Sequence, residues 1–469
     1  MAEQTKMELE YLTVELPEDI RRVIEYGDFA MAQRMIGRRL LKELPGALRQ
    51  RLLLEQEIIR RLPEQYPYGW AEAVWLMAET FSGFQEEELR EFVETGAVEW
   101  IYIQGKICLK DDFIANLVKT REELAPRLKD PHMLDRKRNN FKLLNQVIHT
   151  MKQQGKAGFY FHIRSTVTIC EAAQRPGEKI QVQIPVPIEY GQVRQFRLLG
   201  YEPHCAVLAP QQQSQRTICF EMEYRPGQHF SVEYAFENRM PYWIFGADGR
   251  CRDVIGGEPE GADIDRNLKE ELPHICFTPY LRRLTEEVVG AEQDALKKAR
   301  KIYDFISTQV MYSFVRSYFT IPQHAAFAAA NLKGDCGIQA LLFITMCRIA
   351  GIPARWQSGL YATPLEIGCH DWAQFYIEPY GWLYADCSFG GAAYRAGDME
   401  RWEFYFGNLD PYRVPTVSRY QTGFYITKKY LRSDPYDNQI GEAEYGSGGL
   451  QAGRDFKIRH EVLEITEIK

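Results

Sequence analysis

Apolar and polar positions change period along this chain, and the changes divide it. Up to about residue 153 the repeat is helical. Leu16-Pro17-Glu18-Asp19 has the form of a helix start, with proline and acids in the first turn, and Ile20, Val23 and Ile24 follow at helical spacing. Leu48, Leu52, Ile58, Ile59 and Leu62 mark a second helix, and further helices are predicted around 71–80, 86–95 and 140–153. Residues 100–109 read as a short hairpin or irregular insert. From about 154 the period becomes two: Ile180, Val182, Ile184, Val186 and Ile188 alternate with polar residues or proline, as do Ile218, Phe220, Met222 and Tyr224, and Phe230, Val232, Tyr234 and Phe236. The turn residues Arg225-Pro226-Gly227-Gln228 predict a hairpin of the last two strands, and Pro185 and Pro187 predict an edge position for the first. Residues 241–278 read as a linker around Gly256-Gly257-Glu258-Pro259-Glu260-Gly261. Beyond it helices and strands mix up to about 432. A tail with one short strand, at 462–465, closes the chain.

The expected fold class is therefore α+β and multidomain. A helical region (1–153) precedes an antiparallel β-sandwich-like domain with its linker (154–277), a C-terminal α+β domain (278–432) and the tail (433–469). A length of 469 residues with 45% hydrophobic and 13% aromatic content suits several packed cores. The net charge of -7 argues against nucleic acid as a partner, because phosphate binding needs clustered Lys and Arg. The short basic run Asp135-Arg136-Lys137-Arg138 reads as a solvated helix face. Met1-Ala2-Glu3-Gln4 lacks the look of an export signal, and no run of 18 apolar residues predicts a membrane span. The ten cysteines are scattered, with no CxxC pair, which fits reduced thiols in a cytoplasmic setting.

The chemistry concentrates downstream. Gly334-Asp335-Cys336-Gly337 opens an apolar segment that ends at Gly351-Ile352-Pro353, so a buried helix is expected with Asp335 or Gly334 at its N-cap and Cys336 in its first turn. A thiol there meets unpaired backbone N–H groups and the positive end of the helix dipole, and both favour the nucleophilic thiolate. Cys369-His370-Asp371-Trp372 begins a predicted strand, and Trp382-Leu383-Tyr384-Ala385-Asp386 a second that runs on to Phe389, with turn residues Pro379 and Gly381 between. A five-residue loop from Ile377 to Gly381 puts Trp372 opposite Asp386 and His370 on the diagonal, within side-chain reach. The carboxylate then accepts from one ring nitrogen and leaves the other for the thiol.

Gly-x-Cys followed by a buried helix and Gly351-Ile352-Pro353-Ala354-Arg355, then His370-x-Trp372, Gly381-Trp382 and Asp386, resembles the transglutaminase-like superfamily. The stretch Ala299-Arg300-Lys301-Ile302-Tyr303-Asp304-Phe305-Ile306, leading to Tyr312, is similar to that family's helix before the nucleophile. The likeness covers about residues 278–400. It implies a papain-like domain in which Cys336 is the nucleophile, His370 the base and acid, and Asp386 the residue that orients the histidine. It implies an enzyme acting on an amide of a protein or peptide substrate, either a hydrolase or a cross-linking acyltransferase, and the superfamily also contains members without activity. Asp371 and Cys387 depart from many relatives. A binding or scaffold protein that retains the fold is the alternative from another class.

Asn331, Gln323 and Tyr312 are the side chains suited to a second oxyanion-hole donor, beside the Cys336 backbone N–H. Trp372, Trp382 and Asp371 are candidates for the substrate cleft. His324, in the loop-like setting Pro322-Gln323-His324-Ala325, is set aside as the base. Cys336, Cys369, His370 and Cys387 lack zinc-ligand spacing, so no metal is expected, and neither a P-loop nor a dinucleotide glycine motif calls for a cofactor.

Overall fold

The computed structural model describes residues 9–189, 191–244 and 262–468; both the first four residues and the run 256–261 discussed above lie outside them. Along the chain come helices α1 (Glu18–Tyr26), α2 (Phe29–Leu40) and α3 (Gly46–Arg61), strand β1 (Tyr68–Gly69), α4 (Trp70–Thr80), α5 (Glu86–Glu94), β2 (Trp100–Ile103), β3 (Lys106–Leu109), α6 (Phe113–Thr120) and α7 (Asp135–Gln154). Six strands follow: β4 (Lys156–Ile169), β5 (Lys179–Pro185), β6 (Val193–Glu202), β7 (Ala206–Leu208), β8 (Thr217–Glu223) and β9 (His229–Pro241). The central part holds α8 (Ala262–Arg266), α9 (Pro279–Val289), α10 (Ala295–Gln309), β10 (Met311–Tyr312), α11 (His324–Asn331), β11 (Lys333–Gly334) and α12 (Cys336–Ile349). Strands β12 (Ala354–Ala362), β13 (Ile367–Ile377) and β14 (Gly381–Ala385) then lead to α13 (Cys387–Arg395) and α14 (Met399–Phe404). Five strands finish the chain: β15 (Phe406–Gly407), β16 (Arg413–Val417), β17 (Glu442–Tyr445), β18 (Gly448–Gly449) and β19 (Phe456–Glu467).

The chain divides into two compact units. The first comprises residues 1–138, 270–278 and 310–338. Its helices begin and end where local chemistry dictates. Acids Glu18 and Asp19 open α1, and Gly27, at φ +83°, closes it in the left-handed conformation that glycine tolerates best. Asp28 then caps α2 by accepting from Met31 N at 2.9 Å. One core gathers Ile20, Ala32, Ile36, Leu52 and Ile59; a second gathers Met77, Phe81, Leu89, Leu109, Phe113 and Leu117. The 100–109 stretch is a hairpin, β2 pairing antiparallel with β3 around Gln104 and Gly105, both at positive φ.

The second unit comprises residues 139–269, 279–309 and 339–469. Its strands form three sheets: β18-β17-β5-β8-β7, β19-β4-β9-β6, and β15-β14-β13-β12-β16, all paired antiparallel. The first two form the sandwich, with Phe220 of β8 meeting Phe230 of β9 edge-on at 5.6 Å between them. Here three sequence expectations are corrected. Strands β8 and β9 are not a hairpin: the turn at 225–228, with Gly227 at φ +74°, carries the chain from one sheet to the other, and the apolar faces meet across the interior. Strand β5 is not an edge. It lies between β8 and β17, whose ladder covers only Ile180 to Gln183, so Pro185 at the strand end has no donor to supply on that side. The 433–469 segment is more than a tail with one strand. It supplies β17 and β18 to one sandwich sheet and the twelve-residue β19 to the other.

In the third sheet Ile377 pairs with Gly381 and Ala373 with Ala385, the register expected for this hairpin. The predicted strand through Phe389 stops at Ala385, however. Asp386 accepts from Phe389 N at 2.9 Å, and that cap converts 387–395 into helix α13. Likewise 324–331, expected as loop at its start, is helix α11, with His324 buried at its first position. Within α13, Gly390 is set so tightly that an added Cβ would stand 1.8 Å from Tyr303 Oη, which donates to Trp402 O at 2.7 Å. Gly390→Ala is expected to cost roughly 1–3 kcal/mol through overpacking, read as a lower denaturation midpoint in urea. Wild-type stability in that variant would show that α13 and Tyr303 do not pack in close contact at Gly390.

Candidate active site

In the first unit, short parallel pairing of β10 with β11 sets Tyr312 beside Gly334, two residues before Cys336. Cys336 is the first residue of α12 and is half-buried. The helix is apolar on all sides: Leu341, Leu342, Phe343, Ile344, Met346 and Cys347 are all buried. It ends as expected, with Gly351 at φ +81° and Ile352 N donating to Cys347 O at 2.8 Å. Asp335 is the N-cap. Its Oδ1 accepts from Ile338 N at 3.1 Å and from Tyr318 Oη at 2.6 Å, so this oxygen is turned to the backbone of its own helix. Burial pushes the Asp335 carboxyl up to about 6 against these hydrogen bonds.

In the second unit, His370 and Asp386 are almost wholly buried, and His370 Nε2 lies 2.7 Å from Asp386 Oδ2. The strand register explains the contact. Continued by one residue, the β13–β14 ladder sets Trp372 opposite Asp386, and His370 two residues earlier is the same-face diagonal neighbour. The other carboxylate oxygen, Oδ1, accepts from Phe389 N at 2.9 Å and from Ser388 Oγ at 3.0 Å. A fourth partner is Arg413 of β16, fully buried, whose Nη2 approaches Asp386 Oδ2 to 3.0 Å and donates to Asp410 Oδ2 at 2.7 Å. Burial alone would raise the Asp386 pKa; the charges of His370 and Arg413 and the hydrogen bonds outweigh it and hold the carboxyl down at about 2. With Asp386 ionised, His370 Nε2 is the protonated nitrogen. The Phe389 ring packs 4.4 Å from the His370 ring, and the Arg413 guanidinium lies 4.4 Å from the Phe389 ring.

The remaining candidates are placed as follows. Asn331 is exposed, and its amide donates to Phe327 O within α11 at 2.8 Å. Gln323 is the residue before α11. Tyr312 Oη accepts from Lys119 Nζ at 3.0 Å. Trp372 is fully buried and donates to Gln357 Oε1 at 2.7 Å, a core position and not a cleft wall. Trp382 is half-buried, with the Arg355 guanidinium 3.7 Å from its ring. Asp371 alternates to the opposite strand face from His370 and accepts there from Gln439 Nε2, which also donates to His370 O at 3.1 Å. Among the described residues no group of three or more His, Cys, Asp or Glu side chains is arranged to hold a metal ion, and no helix is long and apolar enough to cross a membrane. Sequence reasoning missed Arg413, Asp410, Ser388 and Gln439. Ser388 alone had a signal, lying two residues after Asp386.

Because the Asp335 carboxyl titrates higher in the folded chain than the value of about 3.9 for an unfolded Asp, the folded state holds a proton that the unfolded chain has released. The stabilisation is complete below about pH 4 and is lost as pH rises through about 6. Asp335→Asn, which keeps the accepting oxygen, is expected to flatten the stability profile between pH 4 and 6 and to match or exceed wild type at pH 7. Urea unfolding at four pH values measures this, and parallel profiles would contradict it.

Residues 282–387 match the family model of the Transglutaminase-like superfamily. An alignment 147 positions long, covering 26% of this chain and 40% of the other, is 25% identical to an uncharacterized protein of Haemophilus influenzae, so the chain spans less than half of that relative's length. Solved structures that resemble the chain include a candidate cysteine protease from Cytophaga hutchinsonii, at a TM-score of 0.37 and 14% identity over 67% of this chain and 90% of that one. The periplasmic domain of TgpA from Pseudomonas aeruginosa aligns at a TM-score of 0.28 and 13% identity, over 55% and 95%. The segment that holds Cys336, His370 and Asp386 is thus a transglutaminase-like domain, at residues 282–387.

Proposed function

We propose that this protein is a cysteine-nucleophile enzyme that opens an amide bond of a peptide, isopeptide or glutamine side chain through a thioester. The observation that carries the reading is the buried His370–Asp386 pair, held at 2.7 Å inside the transglutaminase-like domain. In this reading Cys336 donates its proton to His370 Nδ1, and the thiolate attacks the carbonyl carbon. The C–N bond breaks, and His370 returns the proton to the departing amine. Water then attacks the thioester, releases the acid and restores the thiol. An amine in place of water gives a cross-link, the second reading for the same residues. Asp386 holds the ring in one tautomer and offsets the imidazolium charge. The Cys336 N–H at the helix start serves the oxyanion. Hydrolysis goes with the cytosolic setting proposed from the scattered cysteines.

Three measurements test this. Iodoacetamide at mildly acid pH, read by peptide mass mapping, is expected to label Cys336 far faster than the other nine cysteines, because thiols of pKa about 8.5 are protonated there. His370→Ala is expected to abolish that advantage; uniform labelling would favour a scaffold protein. Asp386→Asn, which offers His370 the wrong tautomer partner, is expected to lower turnover of an amide substrate by roughly 10³-fold or more with the fold retained. Intact mass with and without added amine separates acid from amide product.

A further inference from the structure

The proposed reading uses His370 and Asp386 but leaves two buried charges behind them unexplained. Arg413 and Asp410 are both fully buried. Arg413 reaches Asp410 Oδ2 through Nε at 3.1 Å and Nη2 at 2.7 Å, and the same Nη2 stands 3.0 Å from the Asp386 oxygen that meets His370. Asp410 is tied down in turn, accepting from Tyr405 Oη at 3.0 Å through Oδ2 and from Tyr412 N at 3.0 Å through Oδ1. The result is a linear array, His370–Asp386–Arg413–Asp410, whose charges alternate once the imidazole is protonated.

We infer that Arg413 is a positioning residue that tunes His370 through Asp386: by sharing the oxygen that His370 Nε2 uses, it fixes the ring and weakens the carboxylate's pull on the imidazolium. Asp410 limits that weakening. Coulomb interactions are strong in a dry interior, so a guanidinium 3.0 Å from the accepting oxygen offsets much of its charge as seen by the ring. A filler role alone would need no second carboxylate, since a buried ion pair is often matched in stability by apolar residues of the same volume. The packed elements bring few other titratable groups to this array. Tyr361 of β12 has its ring 6.5 Å from that of His370, and Tyr405 precedes β15. Tyr303 of α10 and Cys387 of α13 sense the Asp386 charge, and Asp371 is on the other face of β13. Burial holds Tyr303, Tyr361, Tyr405 and Cys387 protonated through the neutral range.

The functional meaning of this array rests on the proposed reading, but its test does not. Histidine-labelled full-length chain, with the His370 signals assigned by His370→Gln, is titrated by NMR as wild type, Asp410→Asn and the charge-balanced pair Arg413→Met with Asp410→Asn. Removing Asp410 alone leaves Arg413 wholly to Asp386, so the His370 midpoint is expected to fall by about half a pH unit or more. Removing both frees Asp386 for His370, and the midpoint is expected to rise above wild type by about one unit. A structural role would not give shifts of opposite sign. Shifts that are absent or of equal sign overturn the inference; should one variant fail to fold, the sign of the other decides. If the shifts appear while Cys336 alkylation ignores His370→Ala, the enzymatic reading falls and the array stands.

Discussion

A carboxylate sealed away from water is the constraint around which the second unit is organised. Asp386 is buried and ionised, and an isolated charge in such a place would cost many kilocalories per mole. The fold replaces lost water with partners from separate elements: His370 from β13, Ser388 and Phe389 N from the first turn of α13, and Arg413 from β16. Each partner is therefore a distance constraint between parts of the sheet and the helix after it. Strand β14 ends where it does because its next residue is needed as a cap.

The same logic reaches outward from the pair. Gln439 holds the His370 carbonyl and the Asp371 carboxylate, and its own carbonyl accepts from His460 Nε2 of β19 at 3.2 Å. Strand β19 is an outer strand of the sandwich, paired with β4 through most of its length. A backbone position of the proposed base is thus linked by hydrogen bonds to the last strand of the chain. Together with β17 and β18, that strand completes the two sheets of the sandwich.

Cys336 is served by a different device. The N-terminus of α12 supplies the positive dipole end, and Asp335 satisfies the Ile338 N–H and the Tyr318 hydroxyl. An acid next to a proposed nucleophile would discourage thiolate if its charge were free. Here its Oδ1 is engaged twice, and burial favours the neutral form up to about pH 6, so the opposition is small in the acid range.

What the residues alone determined lies at short range, though not all of it was legible: the Asp386 cap on Phe389 N, three residues away, turned a predicted strand end into helix α13. Pro17-Glu18-Asp19 marks a helix start, Gly351 marks an end, and the odd-length loop from Ile377 to Gly381 sets the register that brings His370 to Asp386. The order of Cys336, His370 and Asp386 was legible because each is embedded in a recognisable local pattern. What only the tertiary structure decided is which strands pair over long separations. Strand β5 looks like an edge until β17, over 250 residues later, covers it, and β8 and β9 look like a hairpin until the interior separates them into two sheets. Arg413 and Asp410 carried no signal for the same reason. A buried charge is stable only beside its counter-charge; Asp410 lies three residues from Arg413, but Asp386 reaches Arg413 only through the packing of the sheet, which sequence separation does not encode.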